Sequence, residues 1–84
     1  MWTIKFSRQV LKDTKKLRAA NLDNKVRQLI AILKVNPYEP PYEKLSGNLQ
    51  GYYSRRINIK HRLVYSVDAT EKIIKVVSIW SHYE

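Results

Sequence analysis

Three stretches rich in Tyr, Val and Ile lie in the C-terminal half of the sequence, and they limit the fold more than any other feature. They cover residues 52–57, 61–67 and 73–81, and only short turns separate them. β-branched and aromatic residues favour strands, and strands joined by short turns run antiparallel. This half is therefore predicted to form a meander of three antiparallel strands.

The hydrophobic period changes along the N-terminal part of the chain. Residues 2–7 alternate apolar and polar side chains, as in a half-buried strand. Ser7 is then a candidate N-cap for a helix that begins after it. Two apolar stripes at helical spacing follow, the first made of Val10, Leu11, Thr14 and Leu17, the second of Leu22, Val26, Leu29, Ile30 and Leu33. Two amphipathic helices are predicted, the second capped by Asn21 or Asp23 and ending near Val35.

These elements predict one α+β domain over residues 1–84, in the order β-α-α-β-β-β. We expect the two helices to pack on one face of a small antiparallel sheet, which leaves the other face partly free for a site. Residues 38–47 include adjacent prolines and are predicted to form an ordered connecting loop, since proline cannot pair in a central strand. A chain of 84 residues has room for one modest core.

Charge is the strongest feature of the composition. Sixteen Lys and Arg stand against seven Asp and Glu, which gives a formal net charge of +9. Such an excess attracts polyanions, nucleic acid first, although an acidic protein or an anionic membrane surface would account for the same charge. The basic composition therefore predicts a polyanionic partner without specifying a reaction.

Other features of the sequence bear on disulfides, metal binding and cellular location. Cysteine is absent, and the two histidines lack a nearby acidic cluster, so we expect no disulfide, no metal and no cofactor. The N-terminal residues do not resemble a signal peptide, and no apolar run reaches the roughly 20 residues of a membrane span. We expect a protein made and used in the cytoplasm.

Six side chains in the C-terminal half can move protons or hold a phosphate: Glu43, Arg55, Arg56, His61, Arg62 and His82. Metal-free RNA cleavage needs a base for the 2′-OH proton, cations for the phosphate and an acid for the leaving 5′-oxygen. Strand alternation places Arg56 with Ser54 and turns Arg55 to the opposite face, and it favours Arg62 over His61. Spacing alone also allows the alternative that these are solvated surface residues.

One string of residues matches a known family in identity and in spacing. It comprises Glu43-Lys44-Leu45, Asn48-Leu49, Gly51, Ser54-Arg55-Arg56-Ile57-Asn58, His61-Arg62-Leu63-Val64-Tyr65 and Ser81-His82-Tyr83. The string closely resembles the YoeB/Txe family of toxins, within the RelE-like superfamily. The likeness is dense from Pro37 to the end of the chain, whereas the preceding residues share the strand-helix-helix plan more than any motif.

The resemblance implies the toxin of a type II toxin-antitoxin system. Such a toxin is a metal-independent endoribonuclease that enters the ribosomal A site and cleaves mRNA there, leaving 2′,3′-cyclic phosphate and 5′-hydroxyl ends and stopping translation. The resemblance also implies a YefM/Phd-like antitoxin with an acidic C-terminal segment. A homodimer and a toxin-antitoxin hetero-oligomer are both compatible with it.

The resemblance assigns roles position by position. Glu43 corresponds to the general base, and Arg56 and Arg62 correspond to the arginines that bind the phosphate and stabilise the transition state. His82 corresponds to the general acid. Tyr83 corresponds to a tyrosine that helps to position the RNA.

Two further residues are expected to contact RNA, and two positions depart from the family pattern. Lys44 and Arg55 are expected to bind or position RNA beside the catalytic groups. Ser46 stands where some members carry a lysine, for which Lys44 can compensate. Glu84 extends the chain past Tyr83 and adds a negative charge near the proposed acid. We expect these departures to alter rate and codon preference more than reaction type.

Two other functions share this architecture. ParE-like toxins poison gyrase without cutting RNA, and a catalytically inactive module would bind RNA or an antitoxin through the same basic surface. The joint presence of a carboxylate, two arginines and an imidazole at the motif positions favours the nuclease.

Overall fold

Two helices cover one face of a five-stranded sheet in a computed structural model of the chain. The structure describes residues 2–81, with only the backbone described for residues 80 and 81. The elements are β1 (Thr3–Phe6), α1 (Arg8–Ala19), α2 (Asp23–Val35), β2 (Glu43–Lys44), β3 (Tyr52–Arg56), β4 (Arg62–Asp68) and β5 (Ile73–Ser81), with a short 3-10 helix at Gly47–Leu49. The predicted α+β class is confirmed, and β3, β4 and β5 are the three strands predicted for the C-terminal half.

The sheet is mixed, so the prediction of a wholly antiparallel sheet is wrong at β1. Across the sheet the order is β1-β5-β4-β3-β2. β1 runs parallel to β5, with Thr3 beside Ile73, whereas the other neighbouring strands pair antiparallel. The alternating pattern of β1 identifies it as a strand but carries no information about the direction of a partner some seventy residues away.

A second difference lies in the connection predicted over residues 38–47. β2 begins after the prolines, where each residue again has a backbone N–H, and it adds two residues to the edge of the sheet beside β3. The connection is therefore a loop that contains a short edge strand. This strand begins at Glu43, which gives that residue a fixed place in the sheet.

Ser7 caps α1 as predicted. Its Oγ accepts a hydrogen bond from the backbone N–H of Val10 at 3.3 Å and donates one to the carbonyl of Val77 at 3.0 Å. The first bond satisfies a free donor of the helix, and the second ties the start of the helix to β5.

The predicted cap of α2 is wrong, because the residue at that position is Leu22 and no side chain caps the helix. Asn21 instead lies just after α1 and terminates it, in a left-handed conformation with φ of 59°. Asparagine tolerates this conformation better than most residues. The N–H of Leu22 donates to the carbonyl of Leu17 at 2.9 Å and that of Asn21 to the carbonyl of Arg18 at 3.1 Å. This pair of bonds is a Schellman motif, so the asparagine serves the end of one helix and not the start of the next.

The core lies between the helices and one face of the sheet. Its buried residues are Val10, Leu17, Val26, Leu29, Leu33, Ile57, Leu63, Tyr65, Ile74, Val76 and Ile79. The stripe predicted for α1 is wrong in part, since Leu11 is 64% exposed while Asp13 is 4% exposed. Asp13 accepts a hydrogen bond from Gln9 and lies 3.8 Å from Lys16, which offsets the cost of burying a carboxylate. Neither helix has the length and apolarity to cross a membrane.

Candidate active site

A cavity of about 270 Å³ opens on the sheet face that turns away from the helices. It is lined by Pro41, Tyr42, Glu43, Ser54, Arg56 and Arg62. Ile57, the residue just after β3, faces the core. Because side chains alternate along the strand, Arg56 and Ser54 face the opposite side, where the cavity lies. We call this cavity the groove.

Strand register brings the polar groups of the groove together from distant positions in the chain. In the β3–β4 pair Arg56 lies opposite Arg62, so both guanidinium groups leave the sheet on the same face. In the β2–β3 pair Glu43 lies opposite Ser54, which places the carboxylate over the same face. Three of the four proposed catalytic residues therefore line one concave surface.

A direct ion pair joins two of them. Arg62 donates from Nη1 to Oε2 of Glu43 at 2.9 Å, and the two side chains are 25% and 64% exposed. A pair as open as this one contributes about 0–1 kcal/mol to stability, because solvent screens it. An anionic ligand can therefore displace the carboxylate from the guanidinium at little cost.

Ser54 is a groove residue that sequence reasoning did not single out. Its side chain is 1% exposed, and its Oγ has no hydrogen-bond partner within the described residues. Its position two residues before Arg56, on the same strand face, is the sequence feature that could have identified it. A buried hydroxyl on the floor of the groove adds a polar group beside the carboxylate and the guanidinium groups.

The structure does not bring Arg55 and Lys44 to the groove. Arg55 lies on the helix-facing side of β3, is 4% exposed, and donates from Nη1 to the carbonyl of Glu39. Lys44 pairs with Tyr53 and so leaves β2 on the side opposite to Glu43. Arg55 therefore makes an internal contact, and Lys44 lies at a separate part of the surface.

The proposed acid His82 and the neighbouring Tyr83 lie outside the described residues, so their roles stay predictions. The backbone that leads to them has a defined position, because Ser81 pairs with Arg62 in the β4–β5 register. His61, which strand alternation ranked below Arg62, is not among the residues that line the groove. Between residues 2 and 81, no group of three or more His, Cys, Asp or Glu side chains is arranged to hold a metal ion.

Comparisons with known proteins agree with this fold and with the motif. The profile of a family described as the YoeB-like toxin of bacterial type II toxin-antitoxin systems matches residues 6–83. Toxin YoeB of Synechocystis sp. is 36% identical over 74 residues, which is 86% of this chain and 77% of that protein. Toxin YoeB of Escherichia coli K12 is 38% identical over 61 residues, 70% of each chain.

Solved structures show the same architecture. The toxin fold in a YoeB-YefM complex from Staphylococcus aureus superposes with a TM-score of 0.80 at 40% identity and covers 99% of both chains. A YoeB/ParE toxin from Agrobacterium tumefaciens superposes with a TM-score of 0.86 at 28% identity, over 96% of this chain and 99% of that one. With the profile match extending over nearly the whole sequence, this chain belongs to the family of YoeB-like toxins of bacterial type II toxin-antitoxin systems.

Proposed function

We propose that this toxin is a ribosome-dependent endoribonuclease that cuts mRNA in the A site without a metal ion. The observation that carries the proposal is the meeting of Glu43 and Arg62 at 2.9 Å in an open groove that Arg56 also lines. A proton acceptor beside two permanent cations is the minimum set for activating a 2′-OH next to a phosphate.

The proposed reaction begins when the scissile phosphate enters the groove. The guanidinium groups of Arg56 and Arg62 bind its non-bridging oxygens, and the planar fork of arginine suits this contact. Glu43, released from its ion pair, accepts the proton of the ribose 2′-OH as the 2′-oxygen attacks phosphorus. The extra negative charge of the transition state then lies between two cations that are already in place.

The second half of the reaction concerns the leaving group. The bond from phosphorus to the 5′-oxygen breaks, and His82 donates a proton to that oxygen as the general acid. The products are a 2′,3′-cyclic phosphate and a 5′-hydroxyl. Support for His82 comes from its motif position and from the placement of the preceding residue, Ser81, beside Arg62.

We also propose an antitoxin partner, which two kinds of observation support. The relatives from S. aureus were solved as YoeB-YefM complexes, one of them heterotetrameric, and as a YoeB dimer. The net charge of +9 favours an acidic antitoxin segment as strongly as it favours RNA. A YefM-like antitoxin would therefore inhibit the toxin by competing for the groove, and the toxin would exist as a dimer or in a hetero-oligomer in the cytoplasm.

Programmed ribosomes provide the test of cleavage. The toxin is mixed with ribosomes that hold a defined A-site codon, the new 5′ ends are mapped, and His82→Gln is run in parallel. We expect cleavage in the A-site codon by the wild type and a loss of about 10²–10⁴-fold in the variant. A message left intact by the wild type would favour a gyrase poison or a binding module.

The metal test needs a substitute ion, because chelation would also strip the ribosome of structural Mg²⁺. Hexaamminecobalt(III) keeps folded RNA neutralised, and its tightly bound ammine ligands prevent direct coordination of a substrate oxygen. We expect cleavage to persist when this ion replaces Mg²⁺. Cleavage that stops while tRNA binding to the same ribosomes continues would contradict the metal-free mechanism.

A further inference from the structure

The proposed base lies at the end of a loop with no regular secondary structure. α2 ends at Val35, and residues 36–42 lead from there to Glu43 without a helix or strand. β2 itself is only two residues long and lies at the edge of the sheet. Local backbone pairing alone is therefore a weak support for the carboxylate, and other contacts must hold the loop.

Two buried side chains of the sheet bind the backbone of this loop. Tyr65 on β4, which is fully buried, donates its hydroxyl proton to the carbonyl of Pro37 at 3.0 Å. Arg55 on β3 donates from Nη1 to the carbonyl of Glu39. We call these two residues the loop anchor. They grip the loop at its start and near its middle, from the core side, while Glu43 lies on the groove side.

A layer of aromatic rings extends the same support. Tyr65 stacks on Tyr53 with ring centres 5.7 Å apart. Tyr53 in turn meets the edges of Tyr38 and Tyr42, two loop residues, at 6.1 and 5.7 Å. Tyr42 directly precedes Glu43, so the aromatic layer connects the anchor to the residue beside the base.

The chemistry of the anchor differs from that of ordinary core packing. Arg55 is 4% exposed, forms no salt bridge with any described residue, and leaves its Nε without a hydrogen-bond partner. Burying a guanidinium without a carboxylate is costly, and a charge-assisted bond to a loop carbonyl and an interaction with the Tyr65 hydroxyl both help to offset the cost here. Burial also raises the pKa of Tyr65 to about 12, which favours the neutral hydroxyl that donates to the loop.

We propose that Arg55 and Tyr65 are positioning residues that hold the loop, and thereby hold Glu43 in place at Arg62 before RNA enters the groove. The inference deepens the proposed function and depends on it for its kinetic consequence. A displacement of about 1 Å in a catalytic group can cost about 10²-fold in rate, so loss of one anchor contact should lower kcat. Neither side chain reaches the groove, so KM for the ribosome should change little.

The kinetic test uses Tyr65→Phe, which removes one hydroxyl and keeps the ring, and Arg55→Lys, which keeps the charge and loses the fork. Tyr52→Phe is the matched control, because it removes the same hydroxyl from a half-buried tyrosine of β3 that forms no side-chain hydrogen bond among the side chains that the structure describes. We expect kcat on programmed ribosomes to fall about tenfold or more in both anchor variants, with KM within about twofold of the wild type. Combined with Glu43→Gln, the anchor variants should cause no further loss, since they act only through Glu43. A rise in KM at unchanged kcat would overturn the proposal.

A second measurement does not depend on cleavage. The amide of Leu45, just after β2, donates to the carbonyl of Tyr52 at 2.9 Å and reports on the seating of the loop. Hydrogen exchange at this amide should become about tenfold faster in Tyr65→Phe, while amides of the β4–β5 pair keep their rates. Unchanged exchange at Leu45 would overturn the loop anchor even if the toxin cuts RNA. Faster exchange at Leu45 in Tyr65→Phe, together with a wild type that leaves RNA intact, would support the anchor and refute the proposed function.

Discussion

The exposed Glu43–Arg62 ion pair allows a single substitution to separate catalysis from stability. Glu43→Gln keeps the shape of the side chain and removes its charge. The pair joins Nη1 and Oε2 at 2.9 Å, yet 64% of the Glu43 side chain is exposed. Exposed pairs contribute about 0–1 kcal/mol, and about 1 kcal/mol shifts the Tm of a domain of this size by about 4–8 °C. We expect the Tm of the variant to lie within about 8 °C of the wild type.

Cleavage should respond far more strongly to the same change. An amide cannot accept the 2′-OH proton, and a positioned general base contributes about 10²–10⁴ in rate. Primer extension on programmed ribosomes gives the cleavage rate, and thermal unfolding followed by circular dichroism gives the Tm. The large loss in rate beside a small loss in stability is the expected signature of a catalytic carboxylate.

The control is Glu71→Gln, which removes the same charge from an exposed carboxylate in the turn between β4 and β5. It should leave both the cleavage rate and the Tm near the wild-type values. A Glu43→Gln protein that cuts within about tenfold of the wild type would refute the assignment of the base. A fall in Tm of more than about 8 °C would instead show that the ion pair is structural, contrary to its exposure.

Three further predictions follow from the structure. Arg56→Gln should reduce cleavage by about 10²–10³-fold, whereas Arg8→Gln, which removes the same charge from the exposed face of α1, should change it less than about threefold in the same assay. Leu33→Ala should cost about 2–5 kcal/mol in urea unfolding, because Leu33 is 0% exposed, whereas Ile32→Ala at a 38% exposed position should cost less than about 1 kcal/mol. The pKa of Tyr65 is raised from 10.0 to about 12, so its neutral form stabilises the fold fully below pH 10 and the contribution is lost as pH rises through 12. The free energy of unfolding of the wild type, measured in urea, should therefore fall by up to about 1.4 kcal/mol per pH unit between pH 10 and 12, relative to that of Tyr65→Phe.

Alternation along a strand is the part of the site that the sequence predicted well. Arg55 and Arg56 are adjacent in sequence and have opposite fates, one buried under the helices and one in the groove. Period-two geometry decides this difference locally, so no tertiary information is needed. The same rule placed Arg62 and Leu63 on opposite faces of β4.

Long-range pairing is the part that the sequence could not predict from local patterns. Nothing in the residues around Glu43 shows that they form β2, because the strand exists only through its register with β3. The parallel partner of β1 and the two carbonyls bound by the loop anchor are hidden for the same reason. The motif resemblance supplied the proposed role of Glu43, while the register supplies the physical cause of its closeness to Arg62.

The hairpin that joins β3 to β4 makes the groove possible, because it fixes which arginines share a face. A slip of one residue in the β3–β4 register would turn one strand over relative to the other and separate Arg56 from Arg62. The turn opposes such a slip with its own hydrogen bonds. The Asn58 side chain accepts bonds from the N–H groups of Lys60 and His61 at 2.8 and 2.7 Å. The turn and the loop anchor thus have complementary tasks: the turn fixes the two cations relative to each other, and the anchor holds the carboxylate against them.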